Sequence, residues 1–107
     1  MTTLKKFSSE KELIKYIEYG LTIIIIVKEN SPSCEETLQL LKKFSQNHLT
    51  TKFAVINEKK IQELKEEISP ISYPTLVLAK NGNILDTFYG NIQEENIKKF
   101  INSATNT

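Results

Sequence analysis

The chain has a single cysteine, Cys34, and no tryptophan among its 107 residues. One cysteine excludes an internal disulfide, so packing alone must hold the fold. There is also only one histidine, His48, and one cysteine with one histidine makes a structural metal site within the chain implausible. Neither sign of charge is in excess: 14 Lys+Arg face 13 Asp+Glu. The lysine pairs (Lys5-Lys6, Lys42-Lys43, Lys59-Lys60, Lys98-Lys99) mostly have acidic residues nearby. No basic patch emerges, and nucleic acid is not an expected partner. The longest apolar run, Leu21–Val27, falls far short of the roughly 20 residues that span a membrane. Met1–Phe7 offers no apolar core of signal-peptide length. A cytoplasmic protein is expected, which a sole cysteine also fits. No cofactor is expected.

What is present is enough for one domain with a real core. Leu21–Val27 (LTIIIIV) is β-branched and does not alternate. It reads as a strand buried on both faces, the centre of a covered sheet. A polar exit, Lys28–Ser33, delivers Cys34 to the start of a helix that runs to about Asn47. On that helix Thr37, Leu38, Leu41, Phe44 and His48 fall on one arc, with Cys34 near its centre. A thiol where a buried strand meets a helix N-terminus is a place for chemistry. It is equally a place where a small apolar residue packs. His48 lies at the far end of the helix, about 20 Å from Cys34 at the rise of an α-helix, and is no catalytic partner.

The remaining elements follow in order. Thr3–Phe7 reads as a short edge strand. Ser9 and Glu12 form a capping box for a helix carrying Leu13, Ile14 and Ile17, ended by Gly20. Thr51–Asn57 is a second buried strand, parallel to the first because a helix joins them. Asn57 caps a helix over Glu58–Ile68, which Ser69-Pro70 stops. Thr75–Lys80 and Asn83–Tyr89 form a hairpin about Asn81-Gly82. Asn91 and Glu94 open a last helix burying Ile97, Phe100 and Ile101, with Asn102–Thr107 as a fraying tail. For Tyr16, Tyr19 and Tyr89 partial burial is expected. The order β-α-β-α-β-α-β-β-α predicts a three-layer α/β/α sandwich on a mixed sheet of four to five strands.

Three features together resemble the thioredoxin family over nearly the whole chain. A thiol ends the central strand. Tyr73-Pro74-Thr75 stands before a strand, where the family has Ile/Tyr-Pro-Thr with a cis proline. Lys80-Asn81-Gly82 is followed by a strand ending in Gly90, where the family has a Lys-Asn-Gly hairpin and a glycine. The resemblance implies a thioredoxin-like fold, Cys34 as the catalytic candidate, and a substrate-binding set of Ser31, Pro32, Ser33, Tyr73, Pro74 and Thr75. It also implies protein thiols and disulfides, or a low-molecular-weight thiol, as partners of a monomer.

The active-site loop departs from the family pattern. Thioredoxins carry Trp-Cys-Gly-Pro-Cys; this chain has Asn30-Ser31-Pro32-Ser33-Cys34. The family's buried acid is missing from a central strand of isoleucines. Two registers are open. In one, Ser31 replaces the nucleophile, caps the helix ahead of Pro32, and Cys34 takes the buried second position. In the other, Cys34 is the nucleophile, Thr37 replaces the resolving cysteine, and Ser33 caps with Glu36. Helix phase and the distance to the next strand favour the first. The Ser31-Pro32-Ser33-Cys34 lead-in, similar to the family's Ala-Pro-Trp-Cys, favours the second. Three functions follow: a single-cysteine thiol–disulfide exchange protein without an internal dithiol cycle, a non-catalytic module binding an extended peptide beside Pro74, or a structural domain with no surviving site.

Overall fold

The computed structural model describes residues 4–47, 50–70, 72–90 and 92–105. The expectations for Thr3, His48, the Asn91 cap and the end of the tail lie outside them. A five-stranded mixed sheet forms the middle layer, in the order β1-β3-β2-β4-β5. Its strands are β1 (Leu4–Phe7), β2 (Leu21–Val27), β3 (Thr51–Asn57), β4 (Thr75–Lys80) and β5 (Asn83–Tyr89). Among the described residues four α-helices cover it: α1 (Glu10–Tyr16), α2 (Pro32–Ser45), α3 (Glu63–Ile68) and α4 (Glu94–Thr105).

The unbroken apolar run of β2 makes it the central strand, as expected. It pairs parallel with β3, from Leu21↔Thr51 to Val27↔Asn57. It pairs antiparallel with β4, from Leu21↔Lys80 to Ile26↔Thr75. Successive side chains point to opposite faces. Ile23 and Ile25 therefore join Leu41 and Phe44 of α2 and Ile97, Phe100 and Ile101 of α4. Ile24 and Ile26 join Leu13 of α1 and Leu64 and Ile68 of α3. All four isoleucines are fully buried, each stabilising the fold by about 1.5–3 kcal/mol. Among the described residues no helix is long and apolar enough to cross a membrane.

The third helix differs from expectation. Asn57 does cap, but what it caps is a 3-10 turn at Glu58–Lys60, its side chain accepting from Lys59 N–H. The chain is extended again at Ile61. α3 then starts at Glu63 without a side-chain cap of its own. Its cap comes from α1: the Glu10 carboxylate accepts the N–H groups of Gln62, Glu63 and Leu64 at 3.0–3.3 Å. Three orphan amides of a helix start are thereby paired with one charged acceptor.

Gly20 does not end α1, which stops at Tyr16 with Ile17 as its C-cap. It sits at φ +79°, where a side chain would be strained. There it meets the hairpin tip. Gly20 N–H donates to Asn81 Oδ1 at 2.8 Å, Asn81 N–H to the Gly20 carbonyl at 3.0 Å, and Gly82 N–H to the Ile17 carbonyl at 2.8 Å. Asn81 and Gly82 both have positive φ, +50° and +84°, the turn geometry that matches strand twist. Tyr16 and Tyr89 are partly buried, but Tyr19 is 79% exposed. It follows the α1 cap and has no sheet face to pack on.

Candidate functional site

The strand registers bring the loops of interest to one end of the sheet. Ile26 lies beside Thr75, and Val27 beside Asn57. The exit of β2 and the entry to β4 are therefore neighbours, and the loop to α2 lies next to Tyr73-Pro74. Ligands of α/β sheets gather at this end, beyond the carboxyl ends of parallel strands.

Of the two candidate caps, the helix start uses Ser31. Ser31 is the N-cap in extended backbone, and its hydroxyl accepts the Cys34 N–H at 3.3 Å. Pro32 is at the first helical position, where its missing N–H costs nothing. Glu35 N–H closes the first turn on the Ser31 carbonyl at 3.2 Å. Ser33 lies inside the helix and does not cap it; its carbonyl accepts from the Thr37 hydroxyl at 3.0 Å. Pro32 and Ser33 are exposed, Ser31 is half-buried, and Thr37 is buried.

Cys34 points inward and is 3% exposed. The backbone N–H of Lys28 donates to its sulfur at 3.4 Å. The thiol thus bridges the exit of β2 and the first turn of α2. A sulfur acceptor for one backbone donor is a structural function, and the site contributes it whatever else the thiol does.

Across the gap, the Tyr73–Pro74 peptide bond is cis. Pro74 is buried, Tyr73 half-buried and Ser72 exposed. Thr75 is fully buried, and its hydroxyl donates to the Ser72 carbonyl at 2.8 Å. Gly90 N–H donates to the Pro74 carbonyl at 3.1 Å. Gly90 has φ +87°, and a Cβ there would come within 3.6 Å of Ser72 Oγ. Burial raises the Tyr73 phenol above its ordinary value; nearby Lys65 opposes this and Glu58 adds to it. Lys65 pairs with Glu58 at 2.9 Å on the same flank.

Ser31, Pro32, Ser33, Tyr73 and Pro74 therefore come from two adjacent loops at one sheet end, with Cys34 and Thr75 packed behind them. Two residues at this end escaped the reading of the sequence. Tyr89 donates its hydroxyl to the Ile68 carbonyl at the end of α3. Glu10 caps the start of the same helix. No local spacing signals either one.

Comparison with known proteins agrees with this architecture. The thioredoxin family model matches residues 5–103. A search of curated proteins finds no match. Among solved structures, the oxidised thioredoxin of Plasmodium falciparum is 22% identical, with 95% of this chain and 98% of that one covered and a TM-score of 0.83. The thioredoxin of Trypanosoma brucei brucei is 15% identical, covering 98% and 93%, with a TM-score of 0.84. Mitochondrial thioredoxin 3 of Saccharomyces cerevisiae, in its oxidised form, is 19% identical, covering 94% of each, with a TM-score of 0.81. At such identities the structural likeness is one of fold. The family match spans nearly the whole sequence, and with it the chain belongs to the thioredoxin family.

Proposed function

We propose that this protein is a thioredoxin-fold docking module within the thiol–disulfide chemistry of its family. It holds an extended segment of a partner protein across the Ser31 and Tyr73-Pro74 loops, and it runs no disulfide cycle of its own. One observation carries this reading: the only thiol is 3% exposed and already engaged by the Lys28 amide. Disulfide exchange needs a thiolate that reaches a disulfide sulfur. The residue at the helix cap is instead the half-buried Ser31, whose hydroxyl has no redox chemistry. Backbone recognition of an extended segment needs no thiol.

The test is selection from a display library of extended peptides, each with a central serine in place of cysteine. Enriched peptides are expected to shift the amide signals of Ser31 and Tyr73, and Cys34→Ser is expected to bind them equally. Loss of capture in Cys34→Ser would sink the docking reading.

A second reading is favoured by the position of the sulfur. It sits in the first turn of α2, at the end of the sheet where the Ser31 and Tyr73-Pro74 loops meet. On this reading a local opening of the turn lets Cys34 form a mixed disulfide. Native protein incubated with oxidised glutathione and weighed by mass spectrometry separates the two: an adduct on Cys34 supports exchange, and an unmodified chain supports docking.

A further inference from the structure

We infer that Tyr89 is a positioning residue for the docking loop, an inference that rests on the docking reading above. The loop between α3 and β4 runs from Ser69 to Pro74, and the end of β5 holds both of its stems. At the first stem, the Tyr89 hydroxyl donates to the Ile68 carbonyl, the last of α3. That carbonyl has no partner within its own helix. At the second stem, the next residue, Gly90, donates its N–H to the Pro74 carbonyl. Tyr89 is itself fixed, because it faces Thr75 across the β4–β5 ladder. The Thr87 hydroxyl donates to the Tyr89 oxygen at 3.3 Å. The phenol thus accepts one hydrogen bond and gives one, in a relay from Thr87 through Tyr89 to Ile68.

The first stem has need of such a brace. Ser69 adopts φ +46°, a left-handed conformation that a serine takes at some cost. Its N–H closes the helix on the Lys65 carbonyl at 2.9 Å. A helix of six residues cannot hold that ending alone, since so short a helix is unstable without tertiary support. Glu10 secures its start and Tyr89 its end. The side chain that presents the loop to a partner is Tyr73, five residues beyond Ile68 in sequence.

The experiment is Tyr89→Phe, which removes one hydroxyl and leaves the ring. Amide hydrogen exchange is read for the loop amides from Ser69 to Thr75 and for the core amides of β2. Loop exchange is expected to rise about five- to tenfold relative to β2, the loss of one hydrogen bond. The affinity for peptides enriched on the unaltered protein is expected to fall by a similar factor. Thr87→Val keeps the donation to Ile68 and is expected to change both readouts by less than about twofold. A rise shared equally by loop and β2 would mean a general loss of stability and overturns the inference. So does a loop-selective rise that leaves peptide affinity unchanged. If the unaltered protein binds no peptide, the docking reading falls by itself. The exchange arm still decides whether Tyr89 holds the loop.

Discussion

The Ser31 hydroxyl accepts the backbone N–H of Cys34 at 3.3 Å, so the helix begins on the serine and the cysteine is carried inside. These two positions are separated by Pro32 and Ser33, so Ser31→Cys would place two thiols a two-residue gap apart. The relationship makes a gain-of-function test available. Ser31→Cys is expected to create a dithiol that oxidises to an internal disulfide, seen as the loss of two hydrogens in mass. The new thiol lies at a helix N-terminus, which favours thiolate, so slow reduction of insulin disulfides is expected as well. The loss of the serine cap costs about 1 kcal/mol. If oxidation yields only glutathione adducts, Cys34 is not placed to resolve the exposed thiol.

Cys34 packs as a small core residue, and substitution should reveal that role first. Cys34→Ala is expected to lower unfolding stability by about 1 kcal/mol, through lost volume and the lost acceptor for Lys28 N–H. Cys34→Asp places a charge in the same space and is expected to cost about 3 kcal/mol or more. Denaturant titrations of both variants check this; equal stabilities would contradict the inward orientation.

Glu10 joins the first helix to the third, so its removal is expected to act at a distance. Glu10→Ala leaves three amides at the start of α3 without their acceptor. It is expected to cost about 1–2 kcal/mol. Amide exchange at Gln62, Glu63 and Leu64 is expected to rise more than exchange in α1 itself. Glu10→Gln keeps one acceptor oxygen and is expected to cost less. An effect confined to α1 would refute the link.

Alkaline pH is expected to weaken the fold through two phenols. Burial raises Tyr16 above its ordinary value of 10.0, and burial likewise leads the rise of Tyr73. In the unfolded chain both ionise at the ordinary value. Between that value and the folded one the unfolded state has lost more protons, so their stabilisation is complete below pH 10 and fades as pH rises. Lys52, lowered by burial, has the opposite sign and offsets part of the loss. Phenolate absorbance should therefore appear later in folded than in unfolded protein. The double variant Tyr16→Phe, Tyr73→Phe should lose that lag; an unchanged lag would mean other phenols carry it.

Much of this was legible in the sequence because it is local. The run Leu21–Val27 declares a strand buried on two faces, since every residue from Thr22 to Ile26 is apolar or small enough to pack. The Asn81-Gly82 turn needs only its own two residues. The cap of α2 was only partly legible: Ser31 and Ser33 are equally good N-caps, and helix phase, which puts Cys34 on the apolar arc, is the local signal that favours Ser31. The start of α3 is hidden from the sequence because its cap is not local. Asn57 is a sound cap, but the acceptor that starts the helix stands 52 residues earlier in the chain. Tyr89 offers no pattern at all: its hydroxyl matters because the hairpin returns it to the end of α3.

The junction of Gly20 with Asn81 and Gly82 bears on how the protein can be engineered. Hairpin tips far from a site are the usual places to insert an epitope, a fluorophore-bearing loop or new chain ends. Here the tip is sewn to the loop before β2 by three backbone-mediated bonds. An insertion between Asn81 and Gly82 would part that seam at the foot of the central strand, and the chain's own turn is a poor place to attach a reporter.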